Sequence, residues 1–186
     1  MSQSIARSLA FVSALALIAA CSPKAPTPQT DTSAAAATPA PIRGTSAPDF
    51  VARAGANDMF EIQTSQVALG RSKNAEVKEF ARMMVEAHTK SLADLNTAIA
   101  ASGMTLAPPA TLPTELQNTL GSLSNTSASN FDGAYVNQQV DAHQAALDLV
   151  QRYANDGDTP MIKTFAAALA PIVGDHLAKA RALQGK

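Results

Sequence analysis

From residue 50 onward, apolar residues return at steps of three and four. One such stripe runs Val77, Ala81, Met84, His88, Leu92, Leu95, Ile99. A second runs Val136, Val140, His143, Leu147, Val150, and a third Ile162, Phe165, Leu169, Val173, His176, Ala180, Leu183. That period marks one buried face of an α-helix, and no stretch of any length alternates with the period of a strand. Helix signals bracket each stripe. Ser46-Ala47-Pro48-Asp49 has the form of a capping box with proline in the first turn, and predicts a first helix over about 48–69 with Gly70 as its stop. Asn74 followed by Glu76 opens a second helix that ends at Gly103. Ser129-Asn130-Phe131-Asp132 opens a third, continuing to about Asn155. Asp158-Thr159-Pro160 opens a fourth, with Gly185 past its end.

The links after the first and third of these helices are short, so each pair forms an antiparallel hairpin. The middle link is longer: MTLAPPATLP reads as extended, and Pro113 to about Leu123 as a short extra helix. The expected fold is all-α: a ferritin-like four-helix bundle of two antiparallel hairpins with a long connection that contains a short helix. Residues 48–186 supply one domain.

The first 47 residues follow other rules. Arg7, then the apolar run from Leu9 to Ala20, reads as a secretory signal over residues 1–20, too short to span a bilayer as a mature helix. Its end, Ile18-Ala19-Ala20-Cys21, resembles a bacterial lipobox, in which the cysteine becomes the lipid-bearing residue. Cys21 is the only cysteine, which suits a lipid attachment point better than a disulfide. Ser22, where sorted lipoproteins retained in the inner membrane carry Asp, implies the outer membrane, facing the periplasm. Residues 21–47 are mostly Pro, Ala, Thr and Ser and bury too little to fold, so they read as a tether. The membrane, through lipid on Cys21, is thus the one partner the sequence names.

Charge and composition remove several functions. The net charge is −1 with no Lys/Arg cluster, which argues against nucleic acid. There is no tryptophan, so aromatic platforms for bases or sugars are not expected. No G-x-S-x-G or phosphate loop occurs, and lipid on Cys21 would remove thiol catalysis. The scattered methionines read as core filler.

The chain has three histidines, His88, His143 and His176, and each sits on an apolar stripe with a valine three residues before it. A buried imidazole needs a partner for each nitrogen or loses a few kcal/mol to desolvation, of order 2–7 by transfer scales. A metal ion would satisfy one nitrogen of each ring, leaving the other to donate to a carboxylate or carbonyl. The first helix has no histidine. It has a face of small and polar residues, Ala54, Asp58, Glu61, Ser65 and Ala68, and Glu61 is the candidate fourth ligand. The alternative for Glu61 is a charge exposed to solvent. Counted from the hairpin turns, ligands in each pair differ by about five residues, or about 7 Å along the axis, which tilt and asymmetric turns must absorb. Asp58, Glu86, Asp141 and Asp175 are candidates for contact behind the ligands; the last three point about 100–200° away from their histidines and read more simply as solvated charge.

The segments DFVARAGANDMFEIQTSQVAL, VKEFARMMVEAHTKSLADL, NFDGAYVNQQVDAHQAALDLV and IKTFAAALAPIVGDHLAKARAL are similar to the bacterial family called domain of unknown function 4142, placed in the ferritin-like superfamily. The most specific elements are F-A-x-x-M-x-x-x-H from Phe80 to His88, the F-D-x-A-Y-V start at Phe131, and the late Asp175-His176. The resemblance implies an exported helical bundle with no assigned activity. Di-iron members of that superfamily carry Glu-x-x-His on two helices. Here the positions three before the histidines are Val85, Val140 and Val173, so the bridging carboxylates are missing. A histidine-rich mononuclear site suits zinc, copper, nickel or iron, and four protein ligands suit a closed site more than an open catalytic one. The expected function is a lipid-anchored envelope bundle binding one transition metal through Glu61, His88, His143 and His176, or acting in envelope stress protection. The alternatives are a metal-free interaction module meeting an envelope protein, and an enzyme with an open metal position.

Overall fold

The computed structural model describes residues 45–184. The expected signal segment, Cys21, most of the tether and Gly185 lie outside them. Five helices and no strand occur among the described residues: α1 (Ala47–Arg71), α2 (Ala75–Ser102), α3 (Thr114–Asn125), α4 (Phe131–Asp156) and α5 (Pro160–Gln184). The expected all-α bundle of two hairpins is present, and the long connection carries its short helix as α3. α1 packs chiefly on α2 and α4 on α5; α2 also meets α5, and α1 meets α4. The start of α1 and the α4–α5 turn share one end of the bundle, since Ala47 N–H donates to Asp158 Oδ1 at 2.9 Å and Asp158 N–H to the Thr45 carbonyl at 3.1 Å. At the other end, Arg71 of α1 donates to the carbonyls of Leu123, Ser124 and Thr126, where α3 finishes. The connection after α2 therefore returns along the whole bundle before α4 begins, so α1 and α5 run one way and α2 and α4 the other.

The helix ends show which local signals prevail. Asn74 caps α2 as expected, its side chain accepting from the N–H groups of Glu76 and Val77, and Gly103 ends α2 at φ 70. Ser46 is the N-cap residue of α1, yet its side chain makes no capping hydrogen bond. The expected capping box does not form, and the neighbouring Ala47 N–H is held by Asp158 from the far hairpin. Nor does Gly70 stop α1, which runs on to Arg71 and is capped at Ser72 by a bond from its N–H to the Ala68 carbonyl at 2.9 Å. The extra residue carries the guanidinium that ties down α3 and lies 4.5 Å over the Phe131 ring.

The core has two apolar clusters. One holds Phe50, Val51, Leu95, Ile99, Val150, Tyr153 and Ile162, near the Asp158 end. The other holds Val77, Phe80, Met84, Phe131, Tyr135 and Val136, near the Arg71 end. Between them α1 contributes Asp58, Glu61, Thr64 and Ser65, all buried. On α4 the buried face includes Gln139, Ala146 and Leu149, while Val140 and Leu147 are only partly covered. Met84 fills the core as expected, whereas Met104 and Met161 are exposed.

Gly55 shows how tightly the return connection crosses α1. A Cβ there would lie 2.5 Å from Pro108 Cβ and 3.2 Å from Pro109 Cδ, both parts of stiff rings. In α5, a Cβ on Gly174 would meet nothing within 4 Å. Alanine gains about 1 kcal/mol over glycine in a helix interior, so Gly174→Ala should stabilise by up to that amount. Gly55→Ala should instead destabilise by about 1–3 kcal/mol through overpacking. Urea midpoints of the full chain and both variants check the opposite signs; a stabilised Gly55→Ala would show that the connection does not press on α1.

Candidate metal centre

The three imidazoles meet in the centre of the bundle, one from each of α2, α4 and α5. The ring centroids form a near-equilateral triangle: His88 to His143 is 5.5 Å, His143 to His176 5.5 Å and His88 to His176 5.8 Å. One ring nitrogen from each lies within 4.8 Å of the other two, and all three residues are buried. The stripes turn these three positions inward, and the packing of the helices brings them to one level of the bundle.

The outer hydrogen bonds decide which nitrogens are available. His143 Nδ1 lies 2.8 Å from the Gln139 carbonyl oxygen. A carbonyl only accepts, so Nδ1 carries the proton and Nε2 keeps its lone pair. His88 Nδ1 lies 2.7 Å from Asp58 Oδ1, which selects the same tautomer whenever that carboxylate is ionised. His88 Nε2, His143 Nε2 and His176 Nδ1 are buried with no hydrogen-bond partner. Each such orphan costs about 1–3 kcal/mol in a protein interior. A carbonyl and a carboxylate behind ligand histidines are the supports that metal sites use.

The electrostatics keep two of the rings neutral. Burial lowers His143 to about 3 and His176 to about 4, and the nearby His88 pushes both in the same direction. For His88 burial also opposes the charge, but the Asp58 hydrogen bond and the charges of Glu61 and Asp58 outweigh it, and its pKa is raised. At neutral pH the lone pairs of His143 and His176 are thus free to bind.

Glu61 is fully buried, which removes the solvent-exposed alternative, and neither carboxylate oxygen has a hydrogen-bond partner. It does not belong to the group of ligand atoms within 4.8 Å of one another. Burial raises it from 4.5 to about 7, partly offset by the His88 charge and the nearby Gln139 amide. Asp58, one turn earlier, is the acid that reaches His88. Moving three residues back along α1 recovers about 4.5 Å of the 7 Å axial offset expected for Glu61. Glu86 and Asp141 are exposed; Asp175 is exposed too and pairs with Lys179 at 2.7 Å.

The residue pattern did not single out Gln139, Thr64 or Tyr135. Gln139 is buried one turn before His143, with its amide 3.5 Å from Thr64 Oγ1 and its Oε1 unpartnered. Ser65 Oγ and Tyr135 Oη lie 2.9 Å apart. A polar residue one turn from a stripe histidine was the available signal for Gln139.

The centre could hold zinc, copper, nickel or iron by its donor set. Bonds of about 2.1 Å to a tetrahedral ion place ligand nitrogens roughly 3.4 Å apart, so each ring need move by less than about 1 Å. No Glu-x-x-His pair is present, and the two buried carboxylates both come from α1, so a carboxylate-bridged pair of ions does not fit.

An ionised Glu61 penalises the metal-free fold above pH 7 and is relieved as the pH falls toward 4.5, because its folded pKa lies above its unfolded one. Glu61→Gln should therefore stabilise the metal-free chain at pH 8 by up to roughly 3 kcal/mol, with the gain vanishing near pH 4.5. Denaturant titrations at the two pH values check this; an equal effect at both would mean that Glu61 does not titrate inside the fold.

Comparison with known proteins adds a family and no activity. No curated protein matches the chain, and no solved structure does. Residues 29–183 match the model of a family described as domain of unknown function (DUF4142), which takes in all but the final residue of the described bundle. With its five helices and central histidines in view, this chain belongs to the DUF4142 family.

Proposed function

We propose that this protein is a lipid-anchored envelope protein whose bundle binds one transition metal ion through His88, His143 and His176, with Glu61 as a fourth ligand. The observation that carries the metal reading is the set of three unpartnered ring nitrogens at the bundle centre. A core that excluded metal would have three imidazole nitrogens unsatisfied, whereas one divalent ion answers all three. Support for Glu61 comes from its complete burial without a partner. Asp58 and the Gln139 carbonyl orient two of the rings and raise their basicity. The role is binding or holding the ion, consistent with a donor set enclosed by four helices.

The anchoring half rests on Ile18-Ala19-Ala20-Cys21 and the Pro/Ala/Thr-rich segment after it. By that reading Cys21 bears lipid in the outer membrane and the bundle faces the periplasm. No helix among the described residues is long and apolar enough to cross a membrane.

Elemental analysis of the full chain, purified without a histidine tag from metal-replete cells, should find about one ion per chain. His143→Ala, or His88→Ala with His176→Ala, should remove it while the helical spectrum persists. Asp58→Asn should keep the stoichiometry and weaken affinity about 10–100-fold. A folded wild-type chain that takes up no metal under any loading condition would end the metal reading and leave an interaction bundle. For the anchor, radiolabelled fatty acid should enter the wild-type chain and not Cys21→Ala; equal labelling of both would rule out lipid at Cys21.

A further inference from the structure

We propose that a metal ion held by the three histidines offers its remaining coordination position to a neutral diatomic molecule, which reaches it through a small cavity enclosed by α1, α2, α4 and α5. This inference rests on the metal reading above and adds a ligand to it. A cavity of about 30 Å³ borders the histidine cluster on its Asp58 side. His88 and His176 line it, whereas His143 and Glu61 do not. A ligand in the cavity would take the fourth position on the three-histidine ion in exchange for Glu61.

The walls select the ligand. Ala54, Ala146, Leu149, Val150, Leu169 and Val173 line the cavity, so most of its surface is apolar. The space holds one or two water-sized groups, since a water requires roughly 10–15 Å³ by the same measure. That excludes most organic ligands and admits a molecule of two atoms. Asp58 lines the cavity and Glu61 lies in the same core, which disfavours a small anion. The lining extends outward to Ile172, which is 48% exposed. It therefore joins the imidazoles to the surface of α5, next to Pro171, an internal helix position that lacks the backbone N–H. Ile172 is the natural gate.

Carbon monoxide bound to copper(I) tests the position, because copper(I) suits imidazole donors and the C–O stretch reports coordination directly. The full chain is loaded with copper(I) without oxygen, its copper content is measured, and infrared spectra are taken under carbon monoxide. About one copper per chain and a single C–O band are expected for the wild type. Ala146→Leu should keep the copper and reduce the band by about tenfold or more, by filling the cavity from α4. Ile172→Trp should slow the appearance of the band and leave its final intensity unchanged. If Ala146→Leu loses its helical spectrum, Ala54→Val narrows the cavity from α1 with the same expectation. Bound copper without a C–O band would overturn the open position and leave the metal site standing. A band undiminished in the folded cavity variants would overturn its placement. No copper in the folded wild type would overturn the ligand site, and the metal reading falls with it when zinc, nickel and iron are refused as well.

Discussion

Burial of titratable groups without enough partners governs this bundle. A polar layer of Asp58, Glu61, Gln139 and three imidazoles sits between two apolar clusters. Water is largely excluded there, so each unpaired nitrogen or oxygen weighs against the fold. The apolar clusters on either side must supply the stability that offsets it, and they are built from the large side chains, Phe50, Tyr153, Phe131, Tyr135 and Met84. The polar layer does the reverse of a packed core: it specifies geometry and tunes protonation, holding His143 and His176 neutral while Asp58 raises the basicity of His88.

The hairpins are tied at each end by long-range polar contacts. Asp158 accepts from Ala47 N–H, Tyr153 and Thr159, and so joins the start of α1 to the turn between α4 and α5. Arg71 performs the matching task at the other end, gathering the last carbonyls of α3 and stacking on Phe131. These clamps fix the two hairpins against each other and so fix the axial level of the histidines. A slip of one turn, about 5.4 Å, would separate the rings by more than any single ion spans.

The face of α1 links the packing to the site. Ala54, Gly55 and Ala68 let neighbouring backbone come close, while Asp58 and Glu61 present carboxylates to the histidine layer. This helix supplies acid where the other three supply imidazole. Valines stand where the di-iron pattern needs glutamates, so the donor set stays rich in nitrogen and suits one ion.

Much of this was legible in the residue pattern. Steps of three and four are a local property, set by the 3.6-residue turn, so the helices, the inward histidines and the caps at Asn74 and Gly103 follow from the order of residues alone. The small polar face of α1 likewise marked Glu61 as a candidate for the interior. What the pattern could not contain was anything that depends on two distant segments meeting. Asp58 rather than Glu61 reaches His88 because helix tilt and relative axial shift choose between residues one turn apart, and neither is encoded in spacing. The Asp158 clamp was out of reach for the same reason: the acceptor of the Ala47 N–H lies 111 positions away. The cavity beside His88 and His176 is the space that four helices fail to fill, so it exists only in their assembly.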